Sequence, residues 1–324
     1  VRPDRAVLPD TDDLPDVLLD LAVPYEDVNT LIALRRVVTG DPAVTRLLEE
    51  CVEELVRDLG EVAVPADVAD DGPRDGRAAR AGGVPRFVER LADAPDALGD
   101  HFAAFVFVAA LPHTRAYHRE RGIPAEITRR TLADLGRNMA GHRSRHGTGG
   151  VQAPQWLAHH FRGELYQLGR LQFERARFGR RTAPLLRQAG LDAVPGEPCL
   201  NLHIPGSRGP LTPTGCDRSL ALAREFFRRH FPEEPYRAVT CHSWLLDPQL
   251  RLHLGGDSRI HLFQERFRLV AGTEPADTEP VRFVFGDPDL PVELLPRRTS
   301  VERAVGDHLR AGGHWHLGHG WLPL

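Results

Sequence analysis

The chain has 324 residues, of which 41% are hydrophobic and 27% charged, with a net charge of −4 and a pI near 6.5. That is enough chain for two cores and enough apolar content to fold, and no basic stripe interleaved with aromatics suggests a nucleic-acid surface. Lysine is absent, so all 41 basic residues are arginine, which excludes a Schiff-base lysine for pyridoxal phosphate, a phosphate-loop lysine and a kinase-type strand lysine. The arginine, alanine, aspartate and proline bias suggests a bacterial genome of high GC content.

The opening VRPDRAVLPDTDDLPD carries acids and prolines where a signal peptide needs a basic and then an apolar run. From Leu14 to Leu59 apolar residues recur at helical spacing, and Pro24 and Gly40 cut the run into three helices. Val64 to Gly83 has no period and reads as an exposed loop. Helical pattern returns at Arg86–Leu91, Leu98–Leu111 and Ile127–Met139. Phe102 to Pro112 is the longest apolar stretch, about half of the ~20 residues that a membrane span requires, so it predicts a buried helix and no membrane partner. Cys51, Cys199, Cys216 and Cys241 form no CxxC and no disulfide framework. Reduced thiols in a cytoplasmic protein are the expectation.

The polar, glycine-rich AGHRSRHGTGG (Ala140–Gly150) suits a junction, dividing the chain into a helical domain over 1–145 and a second domain over 146–324. After it the period shortens. Glu164–Arg175, Cys199–Ile204, Arg237–Leu246, Phe267–Val270 and Val281–Phe285 predict strands, with Thr278 to Pro280 in a hairpin loop between the last two. Helices are predicted at Pro213–His230, Pro248–Leu254 and Val301–Leu309. Thr214 with Asp217, and Thr299 with Glu302, have capping-box spacing, and Gly312 and Gly313 suit a helix stop. The fold class expected is α+β, an all-α domain followed by a mixed α/β domain.

The richest stretch is CLNLHIPGSRGPLTPTGCDRSLALAREFFRRHF (Cys199–Phe231), a strand, a turn and a helix. Leu200, Leu202 and Ile204 share one strand face, and Asn201 and His203 the other. In the turn Gly206 and Gly209 permit close backbone approach, Arg208 adds charge, and the following helix start presents amides and a positive dipole end. A phosphate cradle fits this geometry, and so does a plain βα turn. On Tyr236–Asp247 alternation sets Thr240, His242 and Trp244 on one face and Val239, Cys241 and Ser243 on the other. His242 is either a general base or a core histidine satisfied by a backbone carbonyl. Cys241 reads as a small buried residue. The terminal GGHWHLGHGW, with His314, His316 and His319, reads as a glycine-rich strand packing Trp315 and Trp321 in preference to a zinc site, since no fourth ligand is near. No metal is expected. Gly256-Asp257-Ser258 resembles an esterase GDS motif but follows a helical segment, so chance explains it.

HFRGELYQLGRLQFER, LNLHIPGSRGPLTP, PEEPYRAVTCHSWLLDPQL and LPRRTSVERAVGDHLRAGGHWH, with RGIPAEITRRTLADLGR in the helical part, are similar to a bacterial family that joins a helical N-terminal domain to a GNAT-like acyltransferase domain. The resemblance implies a splayed central sheet and an acyl-coenzyme A donor, or another pantetheine thioester, entering between Cys199–Ile204 and Arg237–Leu246. It implies donor binding by Ile204, Gly206, Ser207, Arg208, Gly209, Thr212 and Thr214. An amine acceptor, small molecule or peptide, would lie near Asn201 and Trp244, with His203 as base and His242 as its alternative or relay. Two departures stand beside it: the turn is a loose version of the superfamily's, and no tyrosine follows Tyr236 to protonate the thiolate, leaving His253, His261 or solvent. A catalytically silent binding module, and a hydrolase pairing His203 or His242 with Ser243, are the other readings.

Overall fold

A computed structural model describes residues 8–69, 86–270 and 275–324. The expected loop at Val64–Gly83 lies mostly outside these; within them Ala66–Ala69 is a short helix. The chain divides into two compact units, Val1–Val62 with Gly82–Gln167, and Ala63–Ala81 with Leu168–Leu324.

Among the described residues up to Phe161, the secondary structure of the first unit is helical. Its helix Phe102–Glu120 opens with FAAFVFVAAL, apolar all round, and every residue from Phe102 to Leu111 is buried. Among the described residues no helix is long and apolar enough to cross a membrane. The segment expected as one helix over Ile127–Met139 is two, Ala125–Leu132 and Asp134–His146. Gly136 near this break lets the backbones meet, since a Cβ there would stand 1.8 Å from the Ala22 carbonyl oxygen. The helix Pro154–Phe161, beyond the glycine-rich stretch, also belongs to this unit.

The chain's mixed sheet comprises β1 (Leu165–Leu168), β2 (Leu171–Arg177), β3 (Pro198–His203), β4 (Ala238–Ser243), β5 (Arg268–Val270) and β6 (Gly318–Pro323), of which β2 to β6 belong to the second unit. Their order is β1-β2-β3-β4-β6-β5. β3 and β4 are parallel, while β2–β3, β4–β6 and β5–β6 are antiparallel. The helix Pro213–His230 makes the crossover between the parallel strands and buries Cys216, Ser219, Ala223, Phe226 and Phe227. Cys199, Ala238 and Trp321 pack with Phe178, Ala183, Leu186 and Ala193, so the helix Thr182–Gln188 caps one end of a sheet face.

Several expectations are corrected. Glu164–Arg175 is not one strand, because Gly169, at φ +70°, turns the chain between β1 and β2. Val281–Phe285 is the end of a helix, Thr278–Phe285, and Thr278 to Pro280 is its first turn instead of a hairpin loop. Val281 there is buried, and Gly286 at φ +86° ends the helix in a left-handed cap. The strand expected to Leu246 stops at Ser243, and Trp244–Leu246 forms a 3-10 turn. Thr212, not Thr214, caps the Pro213–His230 helix, accepting from the Gly215 amide at 3.2 Å, with Pro213 locked at the first helical position. Thr299 and Glu302 do form the reciprocal capping box.

Candidate active site

Register fixes which side chains meet. Glu174 on β2 lies opposite Asn201 on β3, Asn201 opposite Thr240 on β4, and His242 opposite His319 on β6. Side chains alternate along a strand, so Glu174, Asn201, His203, Thr240, His242 and His319 share one face. The opposite face holds the buried Leu200, Leu202, Val239 and Cys241.

Hydrogen bonds tie the polar face together. The Thr240 hydroxyl donates to Asn201 Oδ1 at 2.7 Å. Asn201 Nδ2 donates to Glu174 Oε2 at 3.4 Å, and His203 Nε2 lies 2.8 Å from the same oxygen. With Glu174 accepting from Nε2–H, the His203 lone pair sits on Nδ1, the tautomer a general base needs. The β3–β4 ladder holds Leu200↔Val239 and Asn201↔Thr240 and extends no further among the described residues. The β3–β4 pairing therefore stops short of His203 and His242. His242 is exposed. His319, 5.6 Å from it between ring centroids, is pushed down to about 4 by burial first and by His242 second, so it is neutral at pH 7.

Beyond β3, Ile204 is half-buried, Gly206–Arg208 forms a 3-10 turn, and Gly209 takes φ +72°. Thr212 is occupied as the helix cap, its carbonyl accepting from Cys216 at 3.0 Å. Thr214 is exposed in the first helical turn. Trp244 is not brought to the polar face. It is 6% exposed and packs with Leu250, Leu254, Ala304, Val305 and Trp315. His253 packs 5.7 Å from Trp315 and 4.9 Å from His308 between ring centroids. His261 pairs with Glu265 at 3.5 Å.

The competing chemistries lose their nucleophiles. Ser243 accepts from the Leu245 amide at 3.2 Å and points away from His242, its chain neighbour on a strand. Ser258 caps the helix Arg259–Gln264. Burial raises the Cys199 and Cys241 thiols to about 12, far from the thiolate that attacks. His314, His316 and His319 go to separate partners, Asp277, Asp247 and His242.

Glu174 and Arg170 are the site residues that the sequence did not announce. The Arg170 side chain reaches three carbonyls of the turn after β3. Glu174 alternates with buried Phe173 on a strand, so its face was readable, but its partner was not until β2 paired with β3.

A mixed sheet with a short parallel β3–β4 pair, a turn and helix start after β3, and a histidine–carboxylate pair on one face are the arrangement of a GNAT-type acyltransferase domain. Residues 12–163 match the N-acyltransferase N-terminal domain, and residues 165–322 match the GNAT-like C-terminal domain. An acyltransferase solved with decanoyl-CoA and teicoplanin is 36% identical, with a TM-score of 0.81 over 99% of this chain and 91% of that one. One with decanoyl-CoA alone is 37% identical, with a TM-score of 0.80 over 99% and 91%. A mutant bound to octanoyl-CoA is 36% identical, with a TM-score of 0.80 over 98% and 90%. Comparison with curated proteins gives no match. The chain belongs to the two-domain N-acyltransferase family that these structures represent, and it is an acyltransferase.

Proposed function

We propose that the protein transfers an acyl group from acyl-coenzyme A to an amine on a small-molecule or peptide acceptor, with a glycopeptide as the first candidate. The observation that carries this reading is the end of the β3–β4 pairing at Asn201↔Thr240, with His203 and its Glu174 partner just beyond it on the same face. The relatives bound to decanoyl- and octanoyl-CoA support the donor, and the complex containing teicoplanin supports the acceptor class.

In this mechanism the amine attacks the thioester carbonyl and forms a C–N bond, while His203 Nδ1 takes the amine proton. Glu174 stabilises the imidazolium that results. Oxygen of the tetrahedral intermediate accepts from a β3 backbone amide beyond the last rung shared with β4. The C–S bond then breaks. The thiolate takes a proton from His242, which solvent reprotonates, and His203 returns its own proton to solvent. Donor pyrophosphate rests on the Gly206–Gly209 turn and the amide of Thr214, beside Arg208.

The test is to incubate the full chain with decanoyl-CoA and an amine panel that includes teicoplanin. Thiol release and acceptor mass are followed together. Amine-dependent release with one added decanoyl mass is expected. Tight decanoyl-CoA binding with no amine-dependent release across the panel would replace this reading with a thioester-binding module.

A further inference from the structure

Between β1 and β2 the chain turns at Gly169 and Arg170, and this turn is fastened to the helix Pro213–His230. The Ser219 hydroxyl accepts from the Arg170 amide at 2.8 Å and the Leu171 amide at 3.3 Å, and donates to the Gly215 carbonyl at 2.9 Å. Only glycine fits at 169, since a Cβ there would stand 2.7 Å from that hydroxyl oxygen at φ +70°. From this anchor the Arg170 guanidinium spans the loop after β3. Its Nη1 donates to the Pro205 carbonyl at 2.9 Å, and its Nε to the Gly209 and Pro210 carbonyls at 3.0 and 3.4 Å.

A peptide plane points its C=O and N–H in opposite directions. Turning the Pro205 and Pro210 carbonyls onto Arg170 therefore turns the Gly206 and Leu211 amides the other way. The carbonyl dipoles that would repel an anion are gathered on one cation, and amides are left for the loop's other side. A planar guanidinium has the fork to hold several carbonyls at once, and an ammonium does not.

We propose that Arg170 is a positioning residue for the donor, shaping the Gly206–Gly209 turn so that it accepts a pyrophosphate. This rests on the reading of that turn as the pyrophosphate seat. The test compares binding of decanoyl-CoA with binding of decanoyl-pantetheine, which has no pyrophosphate, using titration calorimetry on the full chain. Wild type is expected to bind decanoyl-CoA more tightly. Arg170→Met should weaken decanoyl-CoA more than about tenfold and decanoyl-pantetheine less than about threefold. Arg170→Lys, which keeps the charge and is the milder change should the methionine variant not fold, should recover less than half of that loss in log affinity. Equal losses for both ligands, or full recovery by lysine, would overturn the inference and leave the acyl-CoA reading standing. Wild type that binds neither ligand would end both.

Discussion

Replacing Glu174 with glutamine removes one charge from the active face and keeps its shape. The carboxylate lies 2.8 Å from His203 Nε2. At an effective dielectric of about 20 the gross attraction for an imidazolium at that distance is roughly 6 kcal/mol. The two side chains are 17% and 30% exposed, so water screens part of this. Glutamine can still accept the hydrogen bond, which leaves about 2–3 kcal/mol as the net loss where His203 carries its proton. At 1.36 kcal/mol per decade this lowers kcat roughly 30- to 150-fold. The KM for acyl-CoA should hardly move, because the pair lies at the reacting centre. Amine-dependent thiol release at saturating donor measures it, and since the sequence has no lysine, no lysine amine of the protein competes as acceptor. His203→Ala should cost about 10²–10⁴-fold, and adding Glu174→Gln to it should cost little more, since the residues act as a unit. A Glu174→Gln enzyme with unchanged kcat, or a double mutant showing the full product of the two losses, would refute the pairing.

Acid should destabilise the helical unit. Burial holds His118 and His160 down at about 4, so between pH 6.5 and 4 the unfolded chain binds protons that the native chain refuses. Stability falls across that window by at most about 3 kcal/mol per histidine, and a urea midpoint that stays flat from pH 7 to 4.5 would contradict it. Arg175, 2% exposed, pairs with Glu234 at 2.8 Å and covers the Phe231 ring at 4.1 Å. Arg175→Met should cost about 3–5 kcal/mol by stranding Glu234, with partial recovery on adding Glu234→Gln, both read by chemical denaturation. Cys199 and Cys241 should react with an aromatic disulfide only after unfolding, because burial raises both thiols to about 12. Rapid labelling of either in the native protein would count against this packing.

Much of the second unit was legible because its signals are local. Proline at the first turn and the charged C-terminal end delimit the helix Pro213–His230, and the strand before it alternates from Leu200 to His203. VRFVF misled because β-branched and aromatic residues favour strands, whereas one buried face and the glycine stop made it helical. Trp244 looked like a site residue only while β4 was thought to continue past Ser243. Glu174 and Arg170 were illegible for a different reason. Each acts across a pairing between segments far apart in sequence, and no spacing within one segment encodes such a partner.

The central sheet can be regarded as two blades. β2 and β3 pair over six positions, Gln172↔His203 to Arg177↔Pro198, and β4 and β6 over six, Ala238↔Pro323 to Ser243↔Gly318. Among the described residues, the rungs at Leu200↔Val239 and Asn201↔Thr240 join one blade to the other. The seam between the blades therefore carries far fewer rungs than either blade's own ladder. The Thr240–Asn201 hydrogen bond is a side-chain rivet through that short seam, at its second rung.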